Sequence, residues 1–275
     1  MTPKTEATGI SQTKIAKTAL KSLQRRKAEG TLSHAPSDFS SPQEAAAAAP
    51  AAPSSDLIQI GTAQTGYPWQ TVGKIQVGWN SDFTIVQYEG SGVLVNQNLI
   101  LTAGHVIPWG KSGWWMRFAA GYRSGETPFG WIYISKCIGY DDVSTPAVND
   151  FAVCQLYSNL GDVCGWMGTH WWADDNVYLS GIWSCQGYPT QLPIAATNIP
   201  IQKVTDGNGE DKLLFTVEFA TGSAWDGGPL WDGGLSGTVN PLVVGVLSGQ
   251  NFPYSVFAGG EDMVNLVIYG IENWS

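Results

Sequence analysis

The sequence predicts an all-β protein, and three observations lead to this. Short runs rich in β-branched and aromatic residues, such as KIQVGW, FTIVQY, GVLVN and PLVVGVLSG, recur from residue 56 onward. Gly, Pro, Asn or Asp separates them, and the chain's 33 glycines and 15 prolines favour many short strands over long helices. A content of 43% hydrophobic and 13% charged residues excludes wholesale disorder. The number of strands suits two packed barrels or one large sandwich.

Residues 1–55 differ in composition and are predicted to form a separate N-terminal segment. Apolar residues between positions 15 and 23 alternate with basic ones, which predicts a basic amphipathic helix. A removable pro-segment, a targeting peptide, a membrane-surface contact and a solvated tail all fit this pattern. Residues 31–55 are rich in Ala, Pro and Ser and are expected to form a flexible linker.

Charge divides the chain and bears on its partners. Residues 1–55 hold seven basic and four acidic residues, so their net charge is +3. Because the whole chain has a net charge of −9, residues 56–275 have a net charge of −12. Such an acidic body repels phosphate backbones, and we expect no nucleic-acid partner. No apolar run approaches the roughly 20 residues of a membrane span, and no secretory signal peptide is recognisable. We expect a monomer, and its localisation stays open.

The four cysteines have neither C-x-x-C spacing nor nearby paired histidines, which argues against a zinc site. Buried free thiols and any of three disulfide pairings remain open. Cys137 and Cys154 would face each other across a hairpin centred near residues 145–146. No metal or cofactor is expected.

Three segments carry residues suited to nucleophilic catalysis. The apolar strand LILTA is followed by Gly104 and His105, one of three histidines in the chain. Asp150 opens the segment NDFAV, and Asp226 precedes the turn GGPL.

In that order, LTAGHV, NDFAV and xxxGGPL resemble the histidine, aspartate and nucleophile motifs of chymotrypsin-fold serine endopeptidases. The GYP at residues 187–189 and the motif spacing are more similar to the glutamyl-endopeptidase (V8-like) branch. The resemblance covers residues 56–275. It implies two six-stranded antiparallel β-barrels, at 56–158 and 159–275, with a short C-terminal helix in EDMVNLVIYGIENW. It also weakly favours an extracellular location.

The resemblance implies that His105 is the general base and that Asp150 orients it. The nucleophile motif departs from the family pattern, because Asp226 stands where the family has serine. Trp225 replaces the usual Asp, Asn or Gln, and Ala224 replaces the glycine of the oxyanion hole, for which Ala224 and Asp226 are the matching positions. A carboxylate is a poor acyl acceptor, and two flanking anions should keep His105 charged. The prediction is therefore a protease homologue with a lost nucleophile and a peptide or protein ligand in the cleft between the barrels.

The resemblance also implies which residues line the substrate cleft. Ala220 and Thr221 would line the specificity pocket, and Leu247 falls where glutamate-specific members carry a histidine. Ser248 lies on the strand that pairs with substrate backbone in the family. Most of the 13 tryptophans are expected in the core. Trp225 is the exception, expected beside the cleft.

Three alternatives remain at this point. An active serine endopeptidase would need a serine in place of Asp226 or an attack by Ser223. An aromatic-rich module could bind carbohydrate or protein without catalysis. The cluster of His105, Asp150 and Asp226 could also be a facial metal triad, although Asp150 would then already be engaged with the imidazole.

Overall fold

The computed structural model describes residues 11–15, 30–36, 59–63, 65–79, 83–140, 146–206, 213–218, 225–232 and 240–274. Two largely antiparallel sheets account for the described strands, and a helix comes last among the described elements. The buried side chains are mostly apolar, which is the arrangement that the strand-rich sequence predicts.

The first sheet closes into a barrel of six strands. The strands run in the spatial order β7-β6-β3-β4-β5-β8, and pairing of β7 with β8 completes the circle. Closure removes the open edges of this sheet. The six strands are β3 (Val72–Gly78), β4 (Tyr88–Asn96), β5 (Leu99–Thr102), β6 (Trp115–Ala120), β7 (Ile132–Tyr140) and β8 (Ala152–Leu156).

The second sheet is a half-barrel, whereas a second closed six-stranded barrel was expected. Its order is β12-β13-β16-β15-β14-β10-β11-β2, with β9 beside β15. Strand β2 occupies the outer edge of β11, so β12 does not close the sheet against it. The strands are β2 (Gln59–Thr62), β9 (Gly168–Thr169), β10 (Trp183–Gly187), β11 (Ile194–Ile199), β12 (Ile201–Asp206), β13 (Leu213–Val217), β14 (Pro229–Asp232), β15 (Leu242–Asn251) and β16 (Tyr254–Gly259).

The described N-terminal residues test the predicted linker in part but not the predicted helix. Residues 11–15 form strand β1 (Ser11–Ile15), which pairs in parallel with β7. The amphipathic helix predicted between positions 15 and 23 falls almost entirely on residues 16–29, which lie outside the described part. Residues 31–36, expected in a flexible linker, lie against the segment around β9, where the amide of His34 donates to the carbonyl of Trp166 at 2.9 Å. Strand β2 also belongs to the second sheet rather than to the first barrel predicted from residue 56.

The predicted C-terminal helix is present as α3 (Glu261–Trp274). Met263 and Leu266 are fully buried, as their positions among polar residues predict. The helix covers the first barrel, because its Gly270 lies against Leu99 and Val153. A Cβ atom added at Gly270 would lie 3.0 Å from the side chain of Leu99 and 3.1 Å from that of Val153. Two short helices, α1 (Gly161–Cys164) and α2 (Asp175–Ser180), lie between the sheets in sequence. In the described segments no helix has the length and apolarity that crossing a bilayer requires.

Aromatic and sulfur-containing side chains fill much of the interior. Within the described segments six tryptophans are buried: Trp69, Trp114, Trp115, Trp183, Trp225 and Trp231. The predicted facing of Cys137 and Cys154 is confirmed, since they are direct partners on β7 and β8. All four cysteines are buried free thiols in this structure.

Candidate active site

His105, Asp150 and Asp226 meet between the two sheets. Strands β5 and β8 pair so that Thr102 lies opposite Ala152. The segment that follows β5 and the segment that precedes β8 therefore leave the barrel at the same edge. His105 lies on the first and Asp150 on the second, and Asp226 lies in the turn before β14.

Asp150 holds His105 at two points. Its Oδ1 accepts a hydrogen bond from the backbone N–H of His105 at 2.8 Å, and its Oδ2 lies 2.7 Å from the ring Nδ1. The Asp150 side chain is fully buried. Two contacts from one rigid carboxylate fix both the backbone position and the rotation of the ring, and they favour the tautomer or imidazolium with a proton on Nδ1.

Ser248 completes this network, a role that the sequence did not predict. Its hydroxyl donates to Asp150 Oδ2 at 2.6 Å and accepts from the amide of Ala147 at 3.0 Å. Ser248 is fully buried, so its side chain supports the aspartate rather than a ligand as expected. A serine in an apolar strand gives no signal in sequence of the partner that folding brings to it.

Asp226 lies on the other side of the imidazole. Its Oδ2 is 3.3 Å from Nε2 of His105, and the two side chains are 22% and 24% exposed. The ring is therefore bracketed by two carboxylates, as the sequence predicts. Because the imidazole has a carboxylate oxygen near each nitrogen, its charged form is the one that satisfies both contacts.

The turn that carries Asp226 is fixed by its glycines. Gly227 has φ +82°, which glycine adopts at little cost. Its N–H donates to the carbonyl of Leu247 at 2.9 Å, and the carbonyl of Asp226 accepts from the amide of Ser91 at 2.8 Å. A Cβ on Gly227 would lie 2.2 Å from Oγ1 of Thr102, so the turn fits tightly against the first barrel.

The pKa of His105 reflects opposing influences. Burial of the ring lowers the pKa, whereas the hydrogen bonds and negative charges of Asp150 and Asp226 raise it, and the net result is a rise from 6.5 to about 9. Burial also raises the pKa of Asp226 against the lowering effect of His105. The imidazole is thus a cation at neutral pH and has no free lone pair with which to accept a proton.

The remaining predicted site residues divide into two groups. Trp225 and Leu247 are 4% and 1% exposed and belong to the core of the second sheet. The expectation that Trp225 borders the cleft as a ligand contact is therefore wrong for its side chain, which lies against Gly187. The side chain of Leu247 is likewise unavailable to a ligand. Ala220, Thr221, Ser223 and Ala224 lie outside the described residues.

A metal triad receives no support from the described residues. Among them, no group of three His, Cys, Asp or Glu side chains is arranged to hold an ion. Both oxygens of Asp150 are already engaged by His105 and Ser248. Asp150 is thus in contact with the imidazole, as expected.

Neither a family model nor a curated protein matches this sequence. Solved structures do match the fold. A Glu endopeptidase in complex with MPD has a TM-score of 0.60 at 17% identity, covering 78% of this chain and 97% of that one. Protease Anisep from Arthrobacter nicotinovorans has a TM-score of 0.53 at 19% identity, and the match covers 74% of this chain and 94% of that one. A thermostable serine protease, AL20, from an extremophilic microorganism has a TM-score of 0.53 at 17% identity, and the match covers 74% of this chain and 99% of that one. The chain thus has a chymotrypsin-like fold.

The bracketing of His105 predicts a titration that depends on Asp226. In an NMR titration, the His105 ring should titrate near pH 9, and Asp226→Asn should lower its pKa because one anion is lost. The folded pKa lies above the ordinary 6.5, so the proton stabilises the fold below pH 6.5, and this contribution disappears as pH rises through 9. The wild type should therefore gain stability relative to Asp226→Asn as pH falls over that range. Glu126→Gln, an exposed site, is the control, and an unchanged His105 pKa in Asp226→Asn would contradict the ion pair.

The turn also predicts a contrast between two glycines that share a positive φ. Gly227→Ala should destabilise the fold by at least about 3 kcal/mol, because its Cβ meets Thr102 and the backbone of Ser91. Gly110→Ala has φ +73° but open space around it, so the cost should be only about 1–2 kcal/mol. Urea unfolding of both variants measures the free energy of unfolding. Equal decreases for the two variants would show that Gly227 is not tightly packed between the sheets.

Proposed function

We propose that this chain is a protease homologue that does not hydrolyse peptide bonds and that binds a peptide or protein ligand between its two sheets. The observation that carries the proposal is the contact of 3.3 Å between Asp226 Oδ2 and His105 Nε2. It occupies the position where a serine hydroxyl would pass its proton to the imidazole.

Two steps of peptide hydrolysis fail with this arrangement. Attack by Asp226 on a peptide carbonyl would give a mixed anhydride, and its charge would repel the oxyanion that forms. General-base catalysis fails as well, because a charged imidazole takes no proton from a nucleophile or from water. A His105–Asp150 pair with the geometry of a proton relay is therefore held in an inactive state by a third residue.

The rival functions are less well supported. Attack by Ser223 has no geometric support because that residue lies outside the described part. A carbohydrate-binding module would need exposed aromatic platforms. No tryptophan is among the exposed large apolar side chains of the described residues. The aromatic ones are Tyr157, which follows β8 of the first sheet, and Phe252, which lies between β15 and β16 of the second, and two such separate side chains argue against that alternative.

The site's charge and strand edges favour a basic peptide as the ligand. Asp150 and Asp226 carry two negative charges against one on the imidazolium, and Asp226 is partly exposed. Beyond Ser248, β15 pairs with β16 and no longer with β14 among the described strands. An extended peptide can add to such an edge, with its side chains alternating in direction. A Lys or Arg side chain would then reach the carboxylate of Asp226.

The first prediction concerns cleavage. The wild-type chain should neither react with a serine-directed fluorophosphonate nor cleave a casein substrate, because no activated serine faces His105. Mass spectrometry of the labelled chain reads the first result and fluorescence release the second. Labelling at Ser223 would overturn the proposal and favour an active endopeptidase.

Asp226→Ser should restore little or no activity, because Ala224 and Trp225 remain, and vigorous cleavage by this single variant would show an intact oxyanion hole.

The second prediction concerns the ligand. Two fluorescein-labelled libraries of short peptides, identical except for one Lys or one Glu in each member, should bind differently, and the Lys library should bind more tightly. Asp226→Asn should remove most of this preference, since the partly exposed carboxylate that a Lys side chain would reach is then lost. Glu126→Gln again serves as the matched control, because it removes an exposed carboxylate elsewhere. Fluorescence anisotropy measures both, and equal binding of the two libraries would contradict the proposed ligand class.

A further inference from the structure

The two oxygens of Asp226 are not equivalent. Oδ2 faces His105 Nε2 at 3.3 Å. Oδ1 accepts no hydrogen bond from the part of the chain that the structure describes, and the side chain is 22% exposed. Among the described residues, Oδ2 therefore has a cationic partner, whereas Oδ1 has no hydrogen-bond partner.

A carboxylate that fails against a carbonyl carbon can still attack a saturated carbon. Attack on a carbonyl gives an unstable anhydride, whereas attack on an sp³ carbon with a good leaving group gives an ordinary ester. The ester carbonyl would then lie beside an imidazole that Asp150 orients. The same three side chains therefore suit a different bond from the one that the fold's solved neighbours cleave.

We propose that this site hydrolyses epoxides, with Asp226 as the nucleophile and His105 first as acid and then as base. The proposal goes beyond the proposed function and does not depend on peptide binding. An epoxide is the electrophile that fits, because its opening consumes the one proton that the resting site holds.

The first step balances as follows. Oδ1 of Asp226 forms a bond to an epoxide carbon, and the carbon–oxygen bond of the ring breaks with its electron pair moving to the oxygen. The imidazolium of His105 gives its Nε2 proton to that oxygen. The products are a neutral hydroxyalkyl ester of Asp226 and a neutral imidazole.

The second step regenerates the site. Water attacks the carboxyl carbon of Asp226, and the neutral Nε2 of His105 takes one of its protons. The acyl carbon–oxygen bond then breaks, and the leaving oxygen takes the second proton of the water to give a vicinal diol. The water oxygen stays in Asp226. Carboxylate and imidazolium are restored, so the net reaction is epoxide plus water to diol.

This cycle assigns a purpose to each contact of the resting site. The ion pair that prevents peptide hydrolysis is the starting state that epoxide opening requires, because it supplies a carboxylate and a proton together. Asp150 is hydrogen-bonded to the imidazole and is itself held by Ser248. These contacts keep Nε2 directed at Asp226 through both steps. The turn at Gly227, fitted against Thr102, keeps the carboxylate from moving away.

The test uses the wild-type chain with styrene oxide in ¹⁸O-labelled water. We expect styrene diol to form above the buffer rate, and the peptide that contains Asp226 to gain one ¹⁸O after turnover, as mass spectrometry of the digest would reveal. In a single turnover the diol should carry unlabelled oxygen from Asp226. No diol above the buffer rate, or diol with label in the product and none in Asp226, would overturn the proposal.

Two variants test the assigned roles. His105→Gln lacks both the acid of the first step and the base of the second, so diol formation should fall to the buffer rate, and any adduct that forms slowly should stay on the Asp226 peptide. Asp226→Asn should lose both the adduct and the diol, while circular dichroism checks that both variants fold. Diol formation by Asp226→Asn at the wild-type rate would contradict the assignment of the nucleophile. The peptide and fluorophosphonate assays measure other bonds, so failure of the proposed function and failure of this inference are distinguishable.

Discussion

The close contact between the turn at Gly227 and the first barrel is the constraint on which the site depends. A side chain at this position would overlap Thr102 and the carbonyl of Ser91, and the carbonyl of Asp226 is hydrogen-bonded to the amide of Ser91. The turn belongs to the second sheet, while Thr102 and Ser91 belong to the first. Together with the hydrogen bond from the amide of Tyr188 to the hydroxyl of Ser91, this contact holds the sheets together near the point where Asp226 reaches His105. Since interiors are closely packed and transmit small shifts, a change in the turn should move the carboxylate of Asp226 relative to His105.

Placing a carboxylate beside a half-buried histidine changes how its imidazole can exchange protons. In a site with a neutral nucleophile, the imidazole faces one anion and can accept and return a proton near neutral pH. Here a second anion holds the proton on the ring, and burial opposes this only in part. The fold is chymotrypsin-like and Asp150 orients His105, yet the charge of the third residue determines the protonation of the site.

The sequence allowed the all-β class, the C-terminal helix and the meeting of His105, Asp150 and Asp226 to be predicted, because strand patterns and short motifs are local signals. The sequence did not allow us to predict that the first sheet closes into a barrel while the second stays a half-barrel. This difference arises when β2 pairs with β11, which lies far from it in sequence. For the same reason Ser248 was assigned to a ligand, although folding places its hydroxyl on Asp150. Trp225 illustrates a different limit: its position in the motif is beside the nucleophile, but the direction of its side chain into the core depends on Gly187 and the facing strand.

The position of α3 bears on the order in which this protein can be assembled. The last helix of the chain lies on Leu99 and Val153, which belong to β5 and β8 of the first barrel. During synthesis the first barrel emerges well before the helix that covers it, so the surface around these strands stays open until α3 has been made. Contacts of such long sequence separation slow folding and leave apolar surface exposed in intermediates. Packing of the first barrel is therefore completed by a helix that follows the second sheet in sequence.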